Sequence, residues 1–174
     1  LINAKLTVET WGNISLRDND RVYITPSGMD YHTMTEDDIV VTDLDGNIVE
    51  GKRKPSIELG MHLAILKARS GSRAVIHTHA IHSNIFACTG EDIPLFHDEG
   101  AQALGDVVRV APYALPGTDD LARVCVETLG DTANACLLRN HGAVCVADSL
   151  TSCFKVAAVL VKVAELYYKI KAMN

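Results

Sequence analysis

The sequence predicts a mixed α/β fold, and three observations support that prediction. Short apolar runs bounded by turn residues, typical of strands, alternate with segments whose apolar residues recur at helical spacing. The pair Asp45 and Gly46 separates two such runs and predicts a tight turn within a β-hairpin. The chain has 174 residues, enough to bury the core of one domain, without repeats or low-complexity linkers. We therefore expect a single domain over residues 1–174 that combines strands and helices.

The predicted strands lie mainly in the first third and around the histidine-bearing segments. Apolar and β-branched residues at 21–25 and 39–42 favour two strands, and residues 47–49 continue the hairpin after its turn. The apolar run at 74–76 leads directly into His77 and predicts another strand. The remaining predicted strands cover residues 107–110, 136–139 and 143–146.

Three helices are predicted from apolar periodicity and from capping residues. The first covers residues 56–69, where leucines recur at helical spacing. The second runs from about Thr118, a good N-cap, to Gly130, and the third runs from Asp148 or Ser149 to near the C-terminus. Core packing, with a subunit contact as a possible addition, is the interpretation we adopt for the apolar stripe of the third helix. This stripe contains Leu150, Phe154, Ala157, Val161, Ala164 and Tyr168.

Composition narrows the kinds of partner. Acidic residues outnumber basic ones by 22 to 16, no long run of basic residues occurs, and aromatic residues make up 5%, so neither nucleic acid nor a membrane surface is indicated. No apolar stretch is long enough to span a bilayer, and no signal peptide opens the chain. The five cysteines are odd in number and lack Cys-x-x-Cys spacing, which favours reduced thiols in the cytoplasm. A small molecule is therefore the expected partner.

Three histidines predict a divalent-metal site. His77 and His79 are two apart in the predicted strand, so both imidazoles point to one side, while Thr78 faces away. His141 follows an apolar strand and precedes a glycine, where a short turn can aim it into a cleft. Three neutral ligands on a zinc-like ion leave a coordination position open, which is typical of catalytic sites. Taken singly, each histidine could equally be an ordinary surface residue or a structural residue of the core.

Glu58 is the carboxylate candidate for this site. It falls in the first turn of the predicted helix at 56–69, where the helix dipole favours a carboxylate, so helix-start electrostatics is one interpretation. If Ser56 is the N-cap, however, a capping-box glutamate belongs at position 59, which is Leu59. The helix leads into the histidine strand and can bring Glu58 to the ion as a base or a displaceable ligand. His62 does not complete a His-Glu-x-x-His pattern, and we interpret it as structural.

Two glycine-containing segments are candidates for holding an anion. Residues 10–15 (TWGNIS) and 25–28 (TPSG) combine glycine, which lets a ligand approach the backbone amides, with short hydroxyl or amide side chains. Either segment has the alternative of an ordinary turn. Neither carries the glycine-rich pattern ending in Lys-Ser/Thr that cradles nucleotide phosphates, so nucleotide binding is not indicated.

Together these segments resemble the class II aldolase and adducin-head family over nearly the whole chain. Six motifs occur in family order and at similar spacing. They are residues 10–15 (TWGNIS), 24–28 (ITPSG), 55–58 (PSIE), 77–79 (HTH), 113–118 (YALPGT) and 140–142 (NHG). The resemblance implies a three-layer α/β/α sandwich around a largely antiparallel sheet, usually in a homotetramer with active sites at subunit interfaces. It also implies a helix before Leu1 and a tail after Asn174.

The same resemblance assigns roles to individual residues. His77, His79 and His141 match the zinc ligands of the family, so the implied cofactor is Zn²⁺ or another divalent ion, and Glu58 matches the carboxylate that is catalytic in the aldolases. The positions that match those holding the substrate phosphate are Gly12, Asn13, Ser27, Gly28 and Ser56.

Three positions bear on the choice among family activities. The epimerases carry an aspartate where this chain has Glu58, so the glutamate favours aldol cleavage. Ile57 replaces a second serine that fuculose-phosphate aldolases carry directly before the glutamate, which removes one hydroxyl from the phosphate cradle. Asp98 stands where those aldolases carry a tyrosine that acts across the subunit interface.

The resulting hypothesis is zinc-dependent aldol cleavage of a ketose, such as L-fuculose 1-phosphate, into dihydroxyacetone phosphate and an aldehyde, with Glu58 transferring a proton. One alternative is a sugar-phosphate 4-epimerase or dehydratase on the same fold. Another is a non-catalytic adducin-like assembly module, a branch that has lost the metal ligands. A cupin-type oxygenase also uses His-x-His, but it needs an all-β pattern and a glutamate where this chain has residues 82–84 (HSN).

Overall fold

The computed structural model of the protein describes residues 1–173 and contains one eight-stranded sheet with helices on both faces. The strands run across the sheet in the order β4-β3-β2-β1-β5-β8-β7-β6. They are β1 (Asn13–Asp18), β2 (Arg21–Ile24), β3 (Val40–Asp43), β4 (Ile48–Glu50), β5 (Ala74–Thr78), β6 (Val110–Ala111), β7 (Ala135–Leu138) and β8 (Gly142–Ala147). Only β6 and β7 pair in parallel among the described strands, so the prediction of a largely antiparallel sheet is confirmed.

Within residues 1–173, five α-helices cover the sheet. They are α1 (Leu59–Ala68), α2 (Ile81–Thr89), α3 (Asp98–Leu104), α4 (Asp119–Leu129) and α5 (Leu150–Ala172). Helices α1 and α4 pack against each other and against β5 and β7, while α2, α3 and α5 form a group that contacts β8. None of the helices within residues 1–173 has the length and apolarity to cross a bilayer.

The core is divided by the sheet into two clusters, because successive residues of a strand point to opposite faces. In β5, Ala74 and Ile76 join the cluster beneath α5, whereas Val75 joins the cluster beneath α1 and α4. His77 is two residues after Val75, so its side chain emerges on the α1 side. Burial of both faces of β5 thus fixes the direction in which His77 points.

Two predicted helix starts are confirmed by their capping bonds. The Thr118 hydroxyl accepts a hydrogen bond from the Leu121 amide at 3.3 Å, and the Ser149 hydroxyl accepts one from the Ser152 amide at 3.2 Å. These contacts satisfy amide groups that have no partner within their own helices.

The predicted start of the first helix is wrong by three residues. The Ser56 amide donates to the Thr25 carbonyl at 3.1 Å, next to a bridge between Pro26 and Pro55, and this pairing keeps the chain extended. The helix therefore begins at Leu59, and Glu58 is its N-cap residue rather than part of its first turn.

Other differences concern short or centrally buried elements. The strand predicted at 107–110 is reduced to β6, Val110–Ala111, because Val108 bridges to Ile93 instead. Strand β1 was not among the predicted strands, yet it lies in the centre of the sheet between β2 and β5. Helices α2 and α3 were not predicted, since nine and seven residues offer too little periodicity to recognise.

The stripe predicted for α5 is only partly correct. Ala157 and Ala164 are buried, but Leu150, Phe154 and Tyr168 are 38%, 40% and 45% exposed. The buried positions are Cys153, Val156, Ala157, Leu160, Val163 and Ala164. The buried side of α5 is therefore rotated about the helix axis relative to the predicted stripe, because α5 packs against α2 and α3 as well as the sheet.

Candidate active site

Three imidazoles converge at the end of β5. Nε2 of His77 lies 2.8 Å from Nε2 of His79, and one ring nitrogen from each of His77, His79 and His141 lies within 4.8 Å of the others. The ring centroids of the three pairs are 4.6, 4.8 and 5.2 Å apart. The structure thus brings together the three histidines that the sequence marked as metal ligands.

Two glycines allow this convergence. Gly142 pairs with Leu138 across the β7–β8 hairpin that carries His141. A Cβ atom at Gly142 would lie 2.5 Å from the Thr78 carbonyl oxygen and 2.8 Å from the His77 ring. A Cβ atom at Gly12, whose φ is +82°, would lie 2.7 Å from the His77 carbonyl oxygen. Only glycine permits the backbone to approach β5 this closely at either position.

The three imidazoles have the chemistry that a divalent ion requires. Nδ1 of His77 donates to the Ala143 carbonyl at 3.0 Å, which leaves the lone pair of Nε2 facing the other two rings. Burial, followed by the neighbouring imidazoles, lowers the pKa of His77 and of His79 to about 3, and burial also lowers the pKa of His141. All three rings are therefore neutral near pH 7, the form in which imidazole binds Zn²⁺.

Glu58 faces the same three rings from the start of α1. Its side chain is almost fully buried, its Oε2 lies 3.3 Å from Nε2 of His77, and its Oε1 lies 3.4 Å from Nε2 of His141. Oε1 has no hydrogen-bond partner among the described residues. A buried carboxylate oxygen without a protein partner is costly, so Oε1 is available to a cation or to a proton donor in the cavity.

A chain of buried polar groups stands behind the carboxylate. Nδ2 of Asn13 donates to Oε2 of Glu58 at 2.8 Å, and Oδ1 of Asn13 lies 2.5 Å from Nε2 of His62. Nδ1 of His62 lies 2.6 Å from the Ser15 hydroxyl. Burial lowers the pKa of His62 to about 3, so this imidazole is also neutral.

A cavity of about 250 Å³ opens in front of Glu58, His79 and His141. All five residues predicted to hold phosphate line it: Gly12, Asn13, Ser27, Gly28 and Ser56. Ser27 and Gly28 are exposed, whereas Asn13 and Ser56 are 6% exposed each. The Ser56 hydroxyl accepts a hydrogen bond from the Glu58 amide at 3.3 Å, which ties this wall of the cavity to the N-terminal end of α1.

Apolar side chains line another part of the same cavity. Trp11 lies with its ring centroid 5.8 Å from that of His79, and Ile57 and Pro116 also line the cavity. Asp98 is not part of the lining; it is exposed at the first residue of α3. Any role for Asp98 at this site would therefore require contact with another subunit.

Sequence reasoning missed two residues that line the cavity, since Trp11 and Pro116 stood inside recognised motifs without an assigned role. His62, which we interpreted as structural, is buried and bonded to Asn13 and Ser15. The useful pattern for His62 was its spacing of four from Glu58, since residues four apart lie on one helix face. Its partner Asn13 is 49 residues away, a contact that local periodicity does not reveal.

Comparisons with known proteins agree with this geometry. The family model described as "Class II Aldolase and Adducin N-terminal domain" matches residues 1–168. A 5-deoxy-D-ribulose 1-phosphate aldolase from Bacillus thuringiensis serovar kurstaki is 38% identical over 176 residues, which cover 100% of this chain and 82% of that protein. A 5-methylthioribulose-1-phosphate/5-deoxyribulose-1-phosphate aldolase from Rhodospirillum rubrum is 39% identical over 160 residues, which cover 92% and 72%.

A solved structure gives the same result. An L-fuculose 1-phosphate aldolase superimposes with a TM-score of 0.95 at 37% identity, covering 100% of this chain and 82% of that one. The fold and the six sequence motifs therefore lead to the same group of proteins.

Proposed function

The chain belongs to the class II aldolase and adducin N-terminal domain family, and from this premise we propose that it is a zinc-dependent aldolase acting on a ketose 1-phosphate. Its products would be dihydroxyacetone phosphate and an aldehyde. The observation that carries the proposal is the meeting of three neutral imidazoles with a carboxylate oxygen that has no partner among the described residues, at one cavity. An adducin-like assembly role would not require this set of groups.

His77, His79 and His141 would hold the ion. A divalent ion bound there would supply a Lewis acid that polarises the ketose carbonyl. Zinc is the proposed ion because three imidazole nitrogens are ligands that Zn²⁺ accepts while keeping a position open. The hydrogen bond from His77 to Ala143 supports this role, since it fixes the orientation of the ring.

Glu58 would move the proton. Cleavage breaks the C3–C4 bond, leaves its electron pair on the ketone fragment and converts the C4 hydroxyl to an aldehyde. The hydroxyl proton would pass to the ionised Glu58 carboxylate, directly or through water. Oε1 of Glu58 would deliver a proton to C3 of the ketone fragment, and in the synthetic direction it would remove the same proton. The absence of a protein partner for Oε1 within residues 1–173 supports this assignment.

The phosphate group would lie between the two glycine-containing segments. Gly12 and Gly28 offer backbone amides, and Ser27 and Ser56 offer hydroxyl groups, in the cavity beside the N-terminal end of α1, where the helix dipole favours an anion. Asn13 lines the same cavity, although its side chain is already bonded to Glu58 and His62. A phosphate would therefore meet the side chains of Ser27 and Ser56 more readily than that of Asn13.

Two of the apolar residues that line the cavity would contact the end of the substrate opposite its phosphate. Trp11 and Pro116 provide a surface for a carbon chain that ends without a hydroxyl group. The relatives named above carry 5-deoxyribulose and 5-methylthioribulose 1-phosphates in their names. We therefore include 5-deoxy-D-ribulose 1-phosphate beside L-fuculose 1-phosphate as a candidate substrate.

The oligomer and the compartment are further parts of the proposal. Trp11 and Ile57, which line the cavity, are 58% and 67% exposed, which supports a homotetramer with active sites at its interfaces. Four of the five free cysteines are buried, which supports a reducing compartment such as the cytoplasm. Light scattering of the purified protein would measure the assembly directly.

Release of dihydroxyacetone phosphate from a panel of ketose 1-phosphates tests the function. The panel contains L-fuculose 1-phosphate, 5-deoxy-D-ribulose 1-phosphate and D-ribulose 1-phosphate, each with zinc and after chelation. We expect zinc-dependent release from at least one sugar, loss of release in His77→Ala, and normal release in the surface variant His32→Ala. Conversion of a sugar without cleavage would instead favour an epimerase or dehydratase.

A further inference from the structure

A second fully buried imidazole, that of His62, lies behind Glu58 and outside the group of metal ligands. We propose that His62 and Asn13 form a positioning pair that holds one oxygen of Glu58 and leaves the other free for proton transfer. The inference rests on the proposed role of Glu58 as the proton carrier. His62 does not touch the substrate cavity, so it would act only through Asn13.

The spacing of the four residues explains how they meet. Glu58 and His62 are four apart at the start of α1 and therefore lie on one helix face. Asn13 and Ser15 are two apart in β1 and therefore lie on one strand face. One face of α1 thus meets one face of β1, and all four side chains are buried.

The chemistry of the groups fixes the direction of every hydrogen bond. An ionised carboxylate only accepts, so Asn13 must present its NH₂ group to Glu58 and keep its carbonyl oxygen for His62. His62 must then donate from Nε2. A neutral imidazole with a proton on Nε2 has a bare Nδ1, which accepts from the Ser15 hydroxyl at 2.6 Å.

Burial makes this arrangement stiff. His62 is 0% exposed, and both of its ring nitrogens have protein partners. The Asn13 amide therefore cannot turn over without breaking bonds to two buried groups at once. Asn13 in turn keeps Oε2 of Glu58 in place at 2.8 Å.

Without this support the carboxylate would be free to rotate toward the metal ligands. Its two oxygens already lie 3.3 and 3.4 Å from Nε2 atoms of His77 and His141. The pair would therefore affect proton transfer by Glu58 and leave the metal ligands in place. A purely structural role for His62 would affect folding and metal content instead.

The first test measures the tautomer of His62 and needs no variant. In ¹⁵N-labelled, zinc-loaded protein at neutral pH, the ¹⁵N shifts and couplings of the imidazole distinguish a proton on Nε2 from one on Nδ1. We expect the Nε2–H form. An Nδ1–H form or a charged ring would overturn the proposed direction of the hydrogen bonds, and with it the positioning role.

The second test compares two substitutions that differ in where they place an amide. Glutamine carries its NH₂ near the position of Nε2, whereas asparagine is shorter and carries it near Nδ1. The assay is exchange of the C3 proton of dihydroxyacetone phosphate with deuterated water, at saturating ligand and with bound zinc measured in parallel. We expect roughly tenfold slower exchange in His62→Asn, a loss of less than about threefold in His62→Gln, and unchanged zinc content in both.

A double-mutant cycle with Asn13→Ala shows whether His62 acts through Asn13. Asn13→Ala should slow the exchange as His62→Asn does, and the double variant should be no slower than either, because the two residues act on one oxygen of Glu58. Equal losses in His62→Gln and His62→Asn, accompanied by loss of zinc, would overturn the proposal in favour of a structural role. Additive effects in the cycle would also overturn it.

These readouts separate the inference from the proposed function. Failure to cleave any ketose, with normal proton exchange and the expected tautomer, would contradict the choice of substrate and leave the positioning role standing. Normal cleavage with the wrong tautomer, or with unaltered exchange in His62→Asn, would contradict the positioning role alone.

Discussion

The mouth of the active-site cavity differs from the buried groups at and behind its inner end, which we call the inner wall, in how completely each is formed. His77 and His62 are 0% exposed and Glu58 is 4% exposed, and their positions are fixed by the packing of α1 on the sheet. Trp11 and Ile57 at the mouth are 58% and 67% exposed. The groups proposed to bind metal and move protons are thus arranged within one chain, whereas the surface that meets the substrate is still open to a ligand or a neighbouring subunit. Changes at the inner wall should therefore have larger effects than changes at the mouth.

Glu58→Gln should give the largest effect. The amide has the shape of the carboxylate, and its oxygen can still accept the hydrogen bond from Asn13, but it cannot carry the proton. We expect cleavage and proton exchange to fall by about 10²–10⁴-fold with unchanged zinc content. The matched control is Glu50→Gln, which alters a surface carboxylate whose side chain is 71% exposed. Retention of cleavage above a tenth of the original rate would exclude Glu58 as the proton carrier.

Gly142→Ala tests how tightly the inner wall is packed. The added Cβ would lie 2.5 Å from the Thr78 carbonyl oxygen and 2.8 Å from the His77 ring, so the ring must move. We expect a loss of about 1–3 kcal/mol in the free energy of unfolding, together with weaker zinc retention. Thermal unfolding and a zinc-chelator competition would measure the two effects.

Gly60→Ala is the matched control for that experiment. A Cβ at Gly60, within α1, meets no atom within 4 Å, and alanine favours the helix by roughly 0.5–1 kcal/mol. We expect this variant to be slightly more stable and to retain zinc normally. A similar loss of zinc in both glycine variants would contradict the idea that close packing against β5 holds the ligands.

The pH dependence of stability should also distinguish the inner wall from the mouth, because the inner wall contains a buried histidine. The pKa of His62 is lowered by burial from 6.5 to about 3, so the unfolded state binds a proton that the folded state does not. Its contribution to stability is complete above pH 6.5 and is lost as the pH falls toward 3. Replacing it with glutamine in the metal-free protein should reduce the slope of unfolding free energy against pH in this window by up to about 1.4 kcal/mol per pH unit. Denaturant titrations would measure the free energy of unfolding at each pH. Equal slopes against pH for the original protein and His62→Gln would contradict this expectation.

Ser27→Ala at the mouth should give the smallest effect. Ser27 is exposed, and its amide keeps its hydrogen bond to the Lys54 carbonyl at 3.0 Å after the substitution. We expect KM for the ketose phosphate to rise about two- to tenfold through loss of one hydroxyl contact, with unchanged kcat and melting temperature. Ser70→Ala, an exposed serine outside this cavity, is the control. A large fall in kcat would mean that the mouth contributes to the chemical step.

Much of the site was predictable because its pattern is local. The spacing of His77 and His79 in a strand predicts that both rings point to one side, and the structure confirms this convergence with His141. The hairpin around Gly46 and the caps at Thr118 and Ser149 were predicted from turn and capping chemistry, which also depends only on neighbouring residues.

The errors share a different physical cause. Helix α1 begins at Leu59 because Ser56 pairs with Thr25, a partner about thirty residues earlier in the chain that local periodicity cannot identify. The central position of β1 likewise depends on pairing with β5, more than fifty residues later.

The amino-acid sequence by itself determined the family, the three metal-ligand candidates, Glu58 and the residues proposed for phosphate, since these are carried by residue types at fixed spacing. Only the tertiary structure decided that Asn13 supports Glu58, that His62 stands behind both, and that Asp98 lies apart from the cavity. The physical reason is that hydrogen bonds between residues 45 and 49 positions apart arise when α1 packs on β1, and only the packed fold brings their donors and acceptors into contact.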